Sequence, residues 1–107
     1  MLLKISDLQI LCREECIAIT KHAKNRFAER KITIGDIQSA IRTGEIIKQY
    51  ETDKPFPSCL LLGQTEMREF IHVVASIDGD YLYIITAYYP NRNEWESDLK
   101  NRKERTL

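Results

Sequence analysis

Glycine and proline are scarce, four and three in 107 residues, which excludes a collagen-like or low-complexity chain. The three cysteines are an odd number, so a complete disulfide framework is impossible. Long apolar runs are missing as well. The longest, Tyr81 to Tyr89, has nine residues and includes Thr86, against the ~20 that a helical membrane span requires. Lys4, Asp7, Arg13, Glu14 and Glu15 break up the early apolar positions, so no secretory leader is expected. These absences point to the cytoplasm and to no membrane partner. The chain also lacks a charge excess: 16 basic and 16 acidic side chains cancel. With 43% hydrophobic residues, disorder is excluded and one modest core is expected, in a single domain over 1–107.

The neutral total hides an uneven distribution. Residues 1–19 sum to −1, residues 20–48 to +4, residues 49–89 to −4 and residues 90–107 to +1. A basic segment in a neutral protein is either a local site for an anionic ligand or a solvated helix face. Cys12 and Cys16 lie four apart and, with His22, sketch part of a zinc site, but no fourth ligand stands at a recognised spacing. No metal and no cofactor are therefore expected, and the thiols read as buried groups.

Periodicity places helices first. Leu8, Leu11, Cys12 and Glu15 predict a helix from Ser6, as N-cap, to about Cys16. Ile17-Ala18-Ile19 is a short apolar link that can form a strand. Thr20 caps a second helix, to about Arg30. Thr33 caps a third, with Asp36 completing a variant capping box and Ile32 and Ile37 forming a hydrophobic staple. Ile34, Ile37, Ala40 and Ile41 make its buried stripe, and Gly44 stops it. Strands are predicted at 46–50, 59–63, 69–77 and 81–89, with Pro55 and Pro57 marking a loop. Asn93 opens a last helix, from which Trp95 and Leu99 dock on the sheet. The expected fold class is α+β: N-terminal helices, an antiparallel four-stranded sheet and a C-terminal helix.

The second helix carries the first chemistry. His22, Arg26 and Arg30 are spaced by four, so each lies about 40° round from the last and one face presents an imidazole and two guanidiniums. Arginine's planar fork suits phosphate or carboxylate, and imidazole is suited to proton exchange near neutrality. The opposing reading pairs the arginines with local acids such as Glu29 and makes His22 a polar helix-start residue.

The hairpin carries the second. Ile71, Val73, Ala75 and Ile77 form a purely apolar face that belongs to the core, which places His72 on the opposite, less buried face. A three-residue loop, Asp78 to Asp80, pairs His72 with Thr86 and Phe70 with Tyr88. A two-residue loop, Asp78-Gly79, sends Thr86 to the core. The first is preferred because it buries Ile85 and leaves Thr86 beside His72. His72 is then either a proton-transfer group or a satisfied sheet histidine, and Tyr88 either a core or a rim aromatic.

Several motifs together resemble the family called domain of unknown function 4258. They are His-Ala-x-x-Arg at 22–26, Glu-Arg-x-Ile at 29–32, Thr-Gly-Glu-Ile-Ile at 43–47, Leu-Leu-Leu-Gly at 60–63, Ile-His-Val-Val at 71–74 and Ile-Thr-Ala-Tyr-Tyr-Pro at 85–90, with Trp95 behind. The likeness covers about residues 17–99. In element order the family is similar to RelE-like ribonuclease toxins, whose open sheet face binds RNA and which often occur with a small antitoxin protein. The resemblance implies a composite catalytic site of His22, Arg26 and Arg30 with His72, Thr86 and Tyr88. The implied function is a metal-independent endoribonuclease of toxin–antitoxin type, with attack of an RNA 2′-OH on the adjacent phosphate. The alternative is a non-catalytic module that binds RNA or a protein. The lysine-rich sheet face common in such toxins is missing here, so any cations must come from the helix. Monomer and homodimer are both compatible with the sequence.

Overall fold

A computed structural model describes residues 2–104. Its elements are helix α1 (Ile5–Ile10), a 3-10 turn (Glu14–Cys16), strand β1 (Ile17–Ala18), helices α2 (Lys21–Glu29) and α3 (Ile34–Thr43), and strands β2 (Glu45–Tyr50), β3 (Ser58–Gln64), β4 (Phe70–Asp78) and β5 (Tyr81–Tyr88). The strands form one sheet in the order β1-β5-β4-β3-β2. The β2–β3, β3–β4 and β4–β5 pairs are antiparallel, whereas β1 runs parallel to β5 through Ile17↔Leu82 and Ala18↔Tyr83.

The α+β reading holds, but the expected architecture does not. The sheet is five-stranded and mixed rather than four-stranded and antiparallel, because the short apolar link at Ile17-Ala18 joins the edge of β5. The last helix is also missing among the described residues: 91–102 run as turns closed by an isolated bridge between Trp95 and Arg102. Asn93-Glu-Trp-Glu-Ser-Asp-Leu carries turn-forming Asn, Ser and Asp, whose side chains compete for backbone groups in place of helix bonds. Asn91 accepts from the Asn93 amide, and Asp98 from Lys100 and Asn101. The first helix is also shorter than expected. Ser6 is not its cap; it starts after Lys4 without a side-chain cap and ends at Ile10.

The helix caps read from sequence are mostly in place. The Thr20 hydroxyl accepts from the Ala23 amide, and Thr33 with Asp36 forms a complete capping box. Helix α2 ends with the Ile32 amide bonded to the Phe27 carbonyl and the Lys31 amide to Ala28, with Lys31 at φ 58. This is the Schellman arrangement, and Ile32 and Phe27 are both buried beside it. Gly44 does close α3, but in extended backbone. Ile34, assigned to the α3 stripe, is 38% exposed, while Ile37, Ala40 and Ile41 are buried.

The helix-side core joins Leu8, Phe27, Ile37 and Ile41 to Leu61, Ile71, Val73, Leu82 and Ile84. A second, smaller core on the other face contains Leu60, Leu62, Trp95 and Leu99. The hairpin turn is the two-residue Gly79-Asp80, with Asp78 opposite Tyr81 and Gly79 at φ 58, which suits a type II′ turn. The register then slips between Val74↔Thr86 and Ala75↔Ile84, leaving Ile85 as the extra residue of a bulge. Neither expected loop occurs. His72 pairs with Tyr88, Val74 with Thr86, and Ile84 rather than Ile85 is buried. The bulge switches the parity of β5, so Thr86 and Tyr88 still share a face with His72.

Helix α3 lies almost in contact with β3 at Gly63, where an added Cβ would sit 2.0 Å from the Ala40 carbonyl oxygen. Gly63→Ala is therefore expected to destabilise the fold by about 1–3 kcal/mol through overpacking, read as a lower midpoint in urea unfolding with unchanged slope.

Candidate functional site

The six candidate residues fall into three groups. His22 and Arg26 are exposed on α2, and Ala23 and Phe27, each about 100° round the helix from the residue before it, are buried. Neither takes part in a side-chain hydrogen bond or ion pair with the described residues. The ion pairs formed there are Lys100–Glu45 and Arg102–Glu94. Glu29 therefore does not neutralise Arg26.

Arg30 does something else. It projects from the end of α2 and donates through Nη1 to the Ala87 carbonyl at 2.8 Å and, at longer range, to Thr86 Oγ1 at 3.4 Å. Strand β1 covers β5 only at Leu82 and Tyr83, so the guanidinium engages a stretch of β5 beyond that cover. His22 starts two turns earlier, about 12 Å along the helix axis from Arg30. The helix thus touches the candidate sheet residues through Arg30 alone among the three.

His72 and Tyr88 form the third group. His72 is on the non-helical face as the alternation requires, yet it is 0% exposed. Its Nε2 lies 2.7 Å from the Leu99 carbonyl, and Nδ1 lies 3.3 Å from the Tyr88 hydroxyl. A carbonyl only accepts, so Nε2 carries a proton and donates it to Leu99, while Nδ1 faces the Tyr88 hydroxyl. Trp95 packs edge-on with ring centroids 4.4 Å apart, and Tyr88 likewise at 5.3 Å. Burial lowers the His72 pKa, against a smaller opposite pull from the Leu99 carbonyl. Burial also raises the Tyr88 pKa, with Tyr50 and Glu94 adding to the rise and Arg102 opposing it. The face is less open than the sequence suggested because residues 91–102 lie across it as a strap.

Residues 19–89 match the family model described as domain of unknown function (DUF4258). The chain belongs to that family. The match spans Thr20 to Tyr88, and so both the α2 face and the hairpin, but stops short of the strap. Nothing in it extends to RelE-like ribonuclease toxins. No curated protein and no solved structure matches the chain.

In this family member the potential metal ligands do not converge: Cys12 is buried, Cys16 half-buried and His22 exposed. Among the described residues no three His, Cys, Asp or Glu side chains cluster to hold a metal ion. Burial raises the Cys12 pKa against Arg42, and raises that of Cys59 to about 11 against a bond at Ala75. Both are core thiols. Residues beside Tyr88 that the candidate set omitted are Lys48, Tyr50 and Arg102. They come from distant parts of the chain, and the alternation of β2 was the only sequence signal for two of them.

Two measurements check these roles. The unfolded chain protonates His72 at about pH 6.5 whereas the folded chain resists it, so stability is full above that pH and falls as the pH drops below it. His72→Gln is expected to flatten this fall in thermal midpoints between pH 7.5 and 5. Arg30→Met is expected to cost about 1–2 kcal/mol by removing a charge-assisted bond, whereas Arg26→Ala should stay within about 0.5 kcal/mol. Denaturant unfolding compares the two.

Proposed function

We propose that the protein binds single-stranded RNA along the outer face of α2. The observation that supports this reading is the set of cations at Lys21, Lys24 and Arg26 on α2 and Lys31 in the turn that ends it, all exposed and without an ion-pair partner among the described residues, in a chain of zero net charge. Arg26 offers a fork for a phosphate, and exposed His22 a ring on which an unstacked base can lie. Phosphate contacts of this kind supply affinity without reading sequence. An acidic protein partner of antitoxin type would compete for the same face.

The second reading is the metal-independent endoribonuclease, supported by His22 and Arg26 standing one turn apart on an open surface. His22 would take the proton from the RNA 2′-OH as its oxygen attacks the adjacent phosphorus. Arg26 would stabilise the added negative charge, and the departing 5′-oxygen would take a proton from solvent, leaving a 2′,3′-cyclic phosphate. His72 is buried and bonded to the Leu99 carbonyl, so among the described residues no second protein group stands ready to protonate the leaving oxygen, which favours binding over cleavage.

Fluorescence anisotropy with a labelled single-stranded oligoribonucleotide tests both. Binding should weaken with salt, and Arg26→Ala should lower the slope of log K against log salt by about 0.7. Absence of binding at low salt, or an unchanged slope in Arg26→Ala, overturns the proposal. Appearance of cyclic-phosphate product, lost in His22→Ala, would install the nuclease reading in its place.

A further inference from the structure

The strap and the sheet enclose a cleft of about 430 Å³ between β2, β3, β5 and residues 95–102. This lies within the range of about 300–1,000 Å³ typical of small-molecule sites. Its apolar lining is Ile47 and Leu60, and its aromatic lining is Tyr50, Tyr88 and Trp95. Around them stand Lys48, Lys100 and Arg102, with no carboxylate in the lining. Lys48 Nζ sits 5.5 Å from the centre of the Tyr50 ring, and Arg102 Cζ 5.4 Å from that of Trp95.

Rings beside cations in a concave site match a ligand that is planar and aromatic at one end and anionic at the other. We propose that this cleft binds a nucleoside monophosphate, free or as the 5′-phosphorylated end of a strand. The base stacks on Tyr50, which keeps free surface, and the phosphate sits among Lys48, Lys100 and Arg102. Lys48 has no ion-pair partner among the described residues. Lys100 and Arg102 are held by Glu45 and Glu94 at 2.6 and 3.8 Å, but all four side chains are 43% exposed or more. Such surface pairs are weak and can re-form on a phosphate. None of the lining belongs to α2, so the inference does not rest on RNA binding there.

Isothermal titration of the whole protein with adenosine 5′-monophosphate, adenosine, inorganic phosphate and a 5′-phosphorylated diadenylate tests it. The emission of Trp95, the single tryptophan, provides a second readout. The expected result is one-to-one binding of the monophosphate or the dinucleotide with a change in Trp95 emission, and binding of adenosine and phosphate at least about tenfold weaker. Lys48→Ala should weaken the nucleotide about tenfold with an unchanged thermal midpoint and an unchanged salt slope for RNA on α2. Either nucleotide binding alone identifies the source, free or strand end. The proposal is overturned if neither binds the folded protein, if phosphate alone binds as tightly as the nucleotides, or if both Lys48→Ala and Arg102→Ala bind like the parent.

Discussion

The hydrogen bond from His72 Nε2 to the Leu99 carbonyl holds the C-terminal segment on a face of the sheet that would otherwise be bare. The three helices cover one face only, and β3 carries leucines on both: Leu61 toward the helices, Leu60 and Leu62 away from them. A strap of turns has no helical stripe with which to cover the second set, so it relies on two anchors, Trp95 and Leu99. Leu99 adopts φ 60, which costs roughly 1–2 kcal/mol for a residue with a Cβ. Burying its side chain contributes about 1.5–3 kcal/mol, and the same backbone twist aims its carbonyl at the imidazole. Burial holds the His72 pKa down, and the bond to the Leu99 carbonyl pulls it the other way.

The other edge of the sheet depends on Arg30. Strand β1 is two residues long and covers only the start of β5, after which the bulge at Ile85 turns the strand's parity. Arg30 bonds β5 beyond both features, at Thr86 and Ala87. The Schellman turn at Lys31 fixes where α2 stops and so where this guanidinium can reach. One arginine of the helical series is thereby absorbed into the fold, and the remaining cations stay on the side turned to solvent.

Charge follows the same division. Helix α2 and the turn that ends it carry exposed cations with no ion-pair partner among the described residues, while the cleft under the strap gathers cations beside aromatic rings. Both surfaces suit anionic ligands, but they differ in kind. On the readings proposed above, the first follows a phosphate backbone and the second, a concave cleft, holds one nucleotide. No helix of the described residues is long and apolar enough to cross a membrane.

Local sequence determined the parts of this protein that depend on near neighbours. The caps at Thr20 and Thr33, the buried stripe from Ile37 to Ile41, the strands of 45–88 and the clustering of His22 and Arg26 on one helix face all follow from spacing of three, four or two. Family membership was legible for the same reason, since its motifs are local. What tertiary structure decided involves partners far apart in the chain. The pairing of Ile17-Ala18 with β5 made the sheet mixed, because a parallel edge pair leaves no turn signal between its strands. The bulge at Ile85 reset the register without any glycine to announce it. Arg30 became a brace and His72 a buried anchor because Ala87 and Leu99 present carbonyls to them, and the spacing of a side chain along its own element says nothing about an acceptor tens of residues away.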